Sequence, residues 1–112
     1  MLMNEYQVLT DSTATYPESG QGSPLSVAYV ALGLGEVGEV QGKVKKILRD
    51  DNGVITDEKR QLIYEELGDV LWYVARMATE LGFPLSNVAE ANLAKLEDRK
   101  ERGVIGGSGD HR

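Results

Sequence analysis

Cysteine is absent from this chain of 112 residues, and histidine occurs once, at position 111. Without cysteine, the chain has no disulfide bridge, thiolate nucleophile, zinc–sulfur site or iron–sulfur cluster. A single histidine next to the C-terminus disfavours Ser-His-Asp catalysis and di-iron bundles built on Glu-x-x-His pairs. Aromatic residues are also scarce, at 6%, so aliphatic side chains must form most of the core. Polar chemistry therefore depends on carboxylates, lysines, arginines and amides.

An excess of positive charge and long hydrophobic runs are missing as well. The 12 Lys and Arg residues face 18 Asp and Glu residues, which gives a net charge of −6 and no basic surface for a nucleic-acid backbone. The first residues do not resemble a signal peptide, and no stretch approaches the ~18 apolar residues of a membrane span. We expect a cytoplasmic protein without nucleic-acid or membrane partners. The small core of so short a chain favours burial against a second copy.

Helical periodicity dominates the rest of the sequence. Four helical segments are predicted, and they cover roughly residues 4–14, 25–49, 57–81 and 86–102. In the third segment, apolar residues recur at steps of three and four, from Ile63 through Val70 to Leu81. The pattern predicts an all-α fold, a four-helix-type antiparallel bundle completed by oligomerisation. Residues 1–103 form its domain, and 104–112 form a glycine-rich C-terminal tail.

Two pairs of carboxylates stand out on the two longest helical segments. Glu36 and Glu39 are three residues apart on the second segment, and Glu66 and Asp69 have the same spacing on the third. Both pairs lie at the margins of their apolar stripes, so packing the stripes together brings the pairs face to face. Four converging carboxylates repel one another unless a cation compensates. Oxygen ligands without imidazole or thiolate favour Mg²⁺ or Mn²⁺, although the same spacing also occurs on ordinary solvated helix faces.

These motifs resemble those of the MazG-type nucleotide pyrophosphohydrolases, in the all-α NTP pyrophosphatase superfamily. The resemblance extends from about residue 29 to 102 and rests on Gly35-Glu-Val-Gly-Glu-Val40, Glu65-Glu-Leu-Gly-Asp-Val-Leu-Trp-Tyr73 and Asn92-Leu-Ala-Lys95. It implies Mg²⁺-dependent hydrolysis of (deoxy)nucleoside triphosphates to the monophosphate and pyrophosphate, as housekeeping of the nucleotide pool. It also implies a homodimer or homotetramer.

The resemblance assigns roles to individual residues. It implies that Mg²⁺, or Mn²⁺ in its place, is bound by four carboxylates: Glu36, Glu39, Glu66 and Asp69. The substrate-binding residues that it implies are Tyr73, Asn92 and Lys95, with Lys43, Lys46 and Arg49 as weaker candidates. A divalent cation lowers the pKa of water enough for attack on phosphorus without histidine or cysteine. Glu36 and Glu39 are both candidates for the catalytic residue that orients this water and accepts its proton.

Two other functions remain open at this point. One is phosphoribosyl-ATP pyrophosphohydrolase, an activity within the same superfamily. The other is a non-catalytic nucleotide-binding helical module, in which the carboxylates form only an acidic rim. Trp72 is a candidate either for stacking on a base or for anchoring the core or an interface, and the anchoring role is favoured. The tail from Gly106 is a candidate for closing over bound nucleotide. Gly35, Gly38 and Gly42 indicate either a close approach by another helix or a locally weak helix.

Overall fold

The computed structural model describes residues 1–112 and contains helices but no strands. There are five α-helices: α1 (Met3–Leu9), α2 (Pro24–Gly33), α3 (Val37–Asp50), α4 (Asp57–Glu80) and α5 (Leu85–Glu101). Two 3₁₀ turns add to them, Thr10–Thr13 after α1 and Leu34–Glu36 between α2 and α3. The predicted all-α fold class is confirmed.

The two N-terminal helical segments differ from the prediction in their regularity. The predicted helix over 4–14 is α-helical only to Leu9, because the hydroxyls of Thr10, Ser12 and Thr13 each donate a hydrogen bond to the carbonyl three residues earlier. Such bonds compete with regular helix formation. The predicted helix over 25–49 is divided by the 3₁₀ turn Leu34–Glu36, in a glycine-containing stretch of low helix propensity.

Helix α4 is the central element of the fold. It begins at the N-cap Thr56, whose hydroxyl accepts a hydrogen bond from the Lys59 amide at 3.2 Å. It packs against every other helix, whereas α5 packs only against α1 and α4. Residues on α4 can therefore meet side chains from α1, α2 and α3, and α5 lies apart from α2 and α3.

The core of one chain is small. Only 11 of the 112 residues are buried, and the apolar cluster consists of Ala75, Ala78 and Leu85 with Tyr6 and Val74 packed against it. The radius of gyration is 16.9 Å, compared with about 13 Å for a compact domain of this length. Large apolar side chains on α3 and α4 are exposed, namely Val37, Val44, Leu48, Leu67 and Leu71. None of the helices combines the length and the apolar character needed to cross a membrane.

Candidate functional site

Three carboxylates from two elements meet where α4 packs against the start of α3. Glu36 ends the 3₁₀ turn that precedes α3, and Glu66 and Asp69 are one helical turn apart on α4. One oxygen of each carboxylate lies within 4.8 Å of the oxygens of the other two. We call these three residues the acidic cluster. The 3₁₀ turn contributes directly to it, because it sets the direction in which Glu36 leaves the backbone.

Glu66 has the least favourable environment in the acidic cluster. Its Oε2 atom is buried and has no hydrogen-bond partner. Burial raises the pKa of Glu66, and the negative charges of Glu36, Asp69 and Glu39 raise it further, while Lys43 works in the opposite direction. A buried, unpartnered oxygen among like charges is unfavourable without a cation. The donor set, made only of carboxylate oxygens, fits Mg²⁺ or Mn²⁺.

Of the other predicted residues of α3, some lie near the acidic cluster and others lie farther along the helix. Glu39 is exposed and outside the group of three, but its charge still acts on Glu66. Lys43 lies close enough for its charge to oppose the repulsion at Glu66. Lys46 acts instead on the carboxylate of Asp50, which accepts a hydrogen bond from Arg49 at 2.8 Å. Glu39 and Lys43 thus belong to the surroundings of the acidic cluster, and Lys46 and Arg49 lie farther along the helix.

Two adjoining clefts open beside the acidic cluster. The acidic cleft has a volume of about 380 Å³ and is lined by Thr13, Glu36, Asp69, Trp72 and Tyr73. The aromatic cleft has a volume of about 430 Å³ and is lined by Thr13, Thr15, Tyr16, Pro17, Tyr29, Trp72 and Tyr73. Because Thr13, Trp72 and Tyr73 line both, the two clefts share a wall. A negatively charged region therefore passes directly into an aromatic one.

Tyr73 and Trp72 form the shared wall. The ring of Tyr73 packs on Gly33 so closely that a Cβ atom there would lie 2.0 Å from Tyr73 Cε1. Trp72 donates a hydrogen bond from Nε1 to Thr13 Oγ1 at 2.9 Å. Its ring meets the Tyr73 ring edge to face, with centroids 5.0 Å apart, and the Tyr16 ring at 6.4 Å. Trp72, for which the sequence favoured an anchoring role over stacking on a base, lines both clefts.

The predicted residues of α5 lie away from the acidic cluster. Neither cleft includes a residue of α5. Asn92 is exposed, and Lys95 Nζ lies 3.2 Å from the carboxylate of Asp110 in the C-terminal tail. The same tail residue accepts a hydrogen bond from Arg99 through its backbone oxygen at 2.6 Å. Within one chain, the tail contacts α5 and does not line the clefts.

Several lining residues have no counterpart in the sequence analysis. Thr13, Thr15, Tyr16 and Pro17 belong to a 3₁₀ turn and a loop, and their position depends on contacts with α4 that are distant in sequence. Tyr29 lies on α2 and belongs to no motif in the sequence. The sequence does contain a pattern that marks two charged residues of α4. Arg76 and Glu80 continue the row of Asp69 and Tyr73 along the helix, at steps of three and four residues.

Comparison with known proteins agrees with the resemblance in the motifs. The model of the MazG nucleotide pyrophosphohydrolase domain matches residues 26–104, well over half of the chain. The chain is 52% identical over 114 residues to the Gene 37 protein of Mycobacterium phage L5, with full coverage of both chains. That protein's name states no activity. No solved structure matches. The chain belongs to the MazG nucleotide pyrophosphohydrolase family.

Proposed function

We propose that the protein hydrolyses (deoxy)nucleoside triphosphates to the monophosphate and pyrophosphate, and that Mg²⁺ is required. The observation that carries this proposal is the acidic cluster, with its unpartnered Glu66 oxygen, beside a cleft that adjoins a second cleft lined by aromatic side chains. A cation between carboxylates and phosphates allows an acidic protein to bind an anionic substrate. Family membership supports the same reaction class.

Carboxylates supply the ligands and the base in this proposal. Glu36, Glu66 and Asp69 would hold the cation, and Glu39 is exposed one turn away, where it can turn toward the same ion. The bound cation would neutralise phosphate charge and lower the pKa of the attacking water. Either Glu36 or Glu39 orients that water and accepts its proton. Lys43 would meet negative charge that develops on the phosphoryl oxygens.

The aromatic cleft is the proposed position of the nucleoside. It adjoins the acidic cleft through Tyr73 and Trp72, so a triphosphate bound at the carboxylates leaves its base next to aromatic rings. Stacking on aromatic side chains suits every base, because each base has a π-face. This arrangement supports a nucleotide as the substrate and does not by itself select one base.

A second copy of the chain completes the proposed assembly. The small core, the exposed apolar side chains of α3 and α4, and the extended shape all support a homodimer or homotetramer. Since Asn92 and Lys95 line neither cleft of their own chain, their proposed contacts with substrate would be made across a subunit interface. A cytoplasmic location, where nucleoside triphosphates are abundant, belongs to the same proposal.

Matched charge-removing variants test this function. Asp69→Asn and Glu66→Gln should each lower kcat by at least about 100-fold, because a cation that loses a ligand contributes less charge stabilisation in the transition state. Binding of Mn²⁺, followed by electron paramagnetic resonance, should weaken in both variants. Of Glu36→Gln and Glu39→Gln, the variant that loses turnover even at Mn²⁺ concentrations that saturate its site identifies the proton acceptor.

Glu65→Gln is the control, because it removes the same charge from the neighbouring, exposed position of α4. It should retain turnover and Mn²⁺ affinity. Full activity in Asp69→Asn and Glu66→Gln, with helicity preserved, would contradict the proposal. Nucleotide binding by the wild-type protein without pyrophosphate release would instead favour a non-catalytic module, and turnover restricted to phosphoribosyl-ATP would favour the specialised superfamily activity.

A further inference from the structure

A buried charge network lies on α4, one turn beyond the shared wall of the two clefts. Arg76 and Glu80 have only 1% and 5% of their surface exposed, and Arg76 Nη2 lies 3.9 Å from Glu80 Oε2. Glu80 accepts three hydrogen bonds, from the Tyr16 hydroxyl at 2.7 Å and from the amides of Gly20 at 2.7 Å and Gly22 at 3.0 Å. The loop after the first 3₁₀ turn is thus held by hydrogen bonds to the Glu80 carboxylate.

Arg76 also holds the first 3₁₀ turn and the loop that follows it through hydrogen bonds. Its Nε donates to the Tyr16 hydroxyl at 3.0 Å, and its Nη1 donates to Thr10 Oγ1 at 3.2 Å and to the carboxylate of Asp11. Its Nη2 donates to Ser19 Oγ at 3.4 Å. One planar guanidinium therefore holds the 3₁₀ turn and the loop together, with the several donors that lysine lacks.

The segment held by these two residues forms one side of the aromatic cleft. Thr13, Tyr16 and Pro17 line the cleft and lie between the points that Arg76 and Glu80 hold, Thr10 and Gly22. Tyr16 belongs to both the charge network and the cleft, since its hydroxyl is hydrogen-bonded to Glu80 and Arg76 and the residue lines the aromatic cleft. Gly22 fits closely, because a Cβ there would lie 2.8 Å from the Glu80 carbonyl oxygen.

Stability alone does not explain a buried ion pair at this position. Removing two charges from water is costly, and apolar side chains of similar volume often stabilise a fold equally well or better. What apolar side chains cannot do is hold several hydroxyls and amides at defined positions. We propose that Arg76 and Glu80 are positioning residues that hold the Tyr16 side of the aromatic cleft in place for the nucleoside of the substrate. This inference rests on the proposed function.

The inference predicts an effect on nucleotide affinity that is separate from the metal. Neither Arg76 nor Glu80 lines either cleft, so substitution should leave the cation and the reacting phosphates in place. A lost aromatic stacking partner weakens nucleotide binding by about 5- to 150-fold. Stacking on the base does not change as the phosphorus reacts, so it stabilises the ground state and the transition state equally. Its loss should therefore raise KM and leave kcat unchanged.

The experiment compares Arg76→Lys and Glu80→Gln with the wild-type protein. The probe is the nucleoside triphosphate that the wild-type protein hydrolyses fastest among the eight common ribo- and deoxyribonucleotides. KM should rise about 10-fold in both variants, with kcat within about 3-fold of the wild-type value and an unchanged Kd for Mn²⁺. Arg102→Lys is the control, since Arg102 forms an exposed ion pair with Asp98 at 2.8 Å, and it should change none of the three quantities.

Tyr16→Phe tests the same inference if the two charge variants do not fold. It keeps the ring and removes only the hydroxyl that both charged residues bind, so KM should rise several-fold at unchanged kcat. Unchanged KM in all folded variants, with normal wild-type turnover, would overturn this inference alone. Wild-type protein that binds Mn²⁺ and hydrolyses none of the eight nucleotides would overturn the proposed function, and this inference with it.

Discussion

Tyr73 lies in the wall that the acidic and aromatic clefts share, and its position depends on a glycine. The side chain follows Asp69 by one turn and packs on the backbone of Gly33 in α2. A methyl group at Gly33 would occupy space that the tyrosine ring fills, so the ring would have to move. The absence of a side chain at Gly33 therefore shapes the cleft as directly as the aromatic side chain does.

Gly33→Ala is expected to displace the Tyr73 ring and weaken nucleotide binding. KM should rise by about 10-fold, the order of one lost stacking partner, while Mn²⁺ binding stays unchanged because Gly33 does not line the acidic cleft. Gly42→Ala is the matched control, since a Cβ there meets only open space. Equal KM values for the two alanine variants, from initial-rate kinetics, would show that Tyr73 does not contact the nucleoside.

The contribution of Glu80 to the stability of the fold depends on pH. Burial works to raise the pKa of Glu80, but the hydrogen bonds it accepts outweigh burial and lower the pKa to about 2 from the ordinary 4.5. A carboxylate with a lowered pKa in the folded state contributes stability above its unfolded pKa, and that contribution is lost as the pH falls toward the folded pKa. The relevant pH range is therefore from about 5 down to 2.

The stability difference between the wild-type protein and Glu80→Gln should shrink by about 3 kcal/mol between pH 6 and pH 2. Urea unfolding of both proteins across this range measures it, and other carboxylates cancel in the comparison because both proteins contain them. Glu65→Gln provides a surface carboxylate for reference, with a small difference expected at every pH. A constant difference between wild type and Glu80→Gln would mean that Glu80 has an ordinary pKa.

At the scale of elements, the break between α2 and α3 is the feature that the apolar pattern did not reveal. Periodicity predicted one helix over 25–49, because the apolar residues continue across the break. The 3₁₀ turn Leu34–Glu36 interrupts that helix in a stretch where Gly35 and Gly38 have only open space around them. Within one chain, these glycines thus accompany a locally weak helix and no close helix contact.

The two C-terminal helices were predictable almost to the residue. Periodic apolar residues and the following glycines predicted segments over 57–81 and 86–102, and the structure has Asp57–Glu80 and Leu85–Glu101. Spacing also predicted that Glu36 and Glu39 would face Glu66 and Asp69, since helix geometry fixes which residues share a side. The structure brings Glu36, Glu66 and Asp69 together and leaves Glu39 outside that group. Thr13, Tyr16 and Tyr29 were not predictable, because their roles arise from contacts between elements far apart in sequence.

At the scale of the whole molecule, the extent of exposed apolar surface predicts self-association. Light scattering after size exclusion should give a multiple of the 12.2 kDa chain mass, a dimer or a tetramer. Leu71→Lys places a charge on the exposed apolar side of α4 and should shift the mass toward that of one chain. Val54→Lys, in the exposed loop between α3 and α4, is the control and should not. A monomer for the wild-type protein at tens of micromolar would contradict this prediction.

The products of hydrolysis test the central claim most directly. With Mg²⁺ and a panel of ribo- and deoxyribonucleoside triphosphates, ³¹P nuclear magnetic resonance distinguishes cleavage between the α- and β-phosphates from removal of the terminal phosphate. We predict nucleoside monophosphate and pyrophosphate in equal amounts, and no reaction when the cation is chelated. Diphosphate with inorganic phosphate, or no turnover by folded protein with Mg²⁺ and Mn²⁺ both tried, would contradict the account.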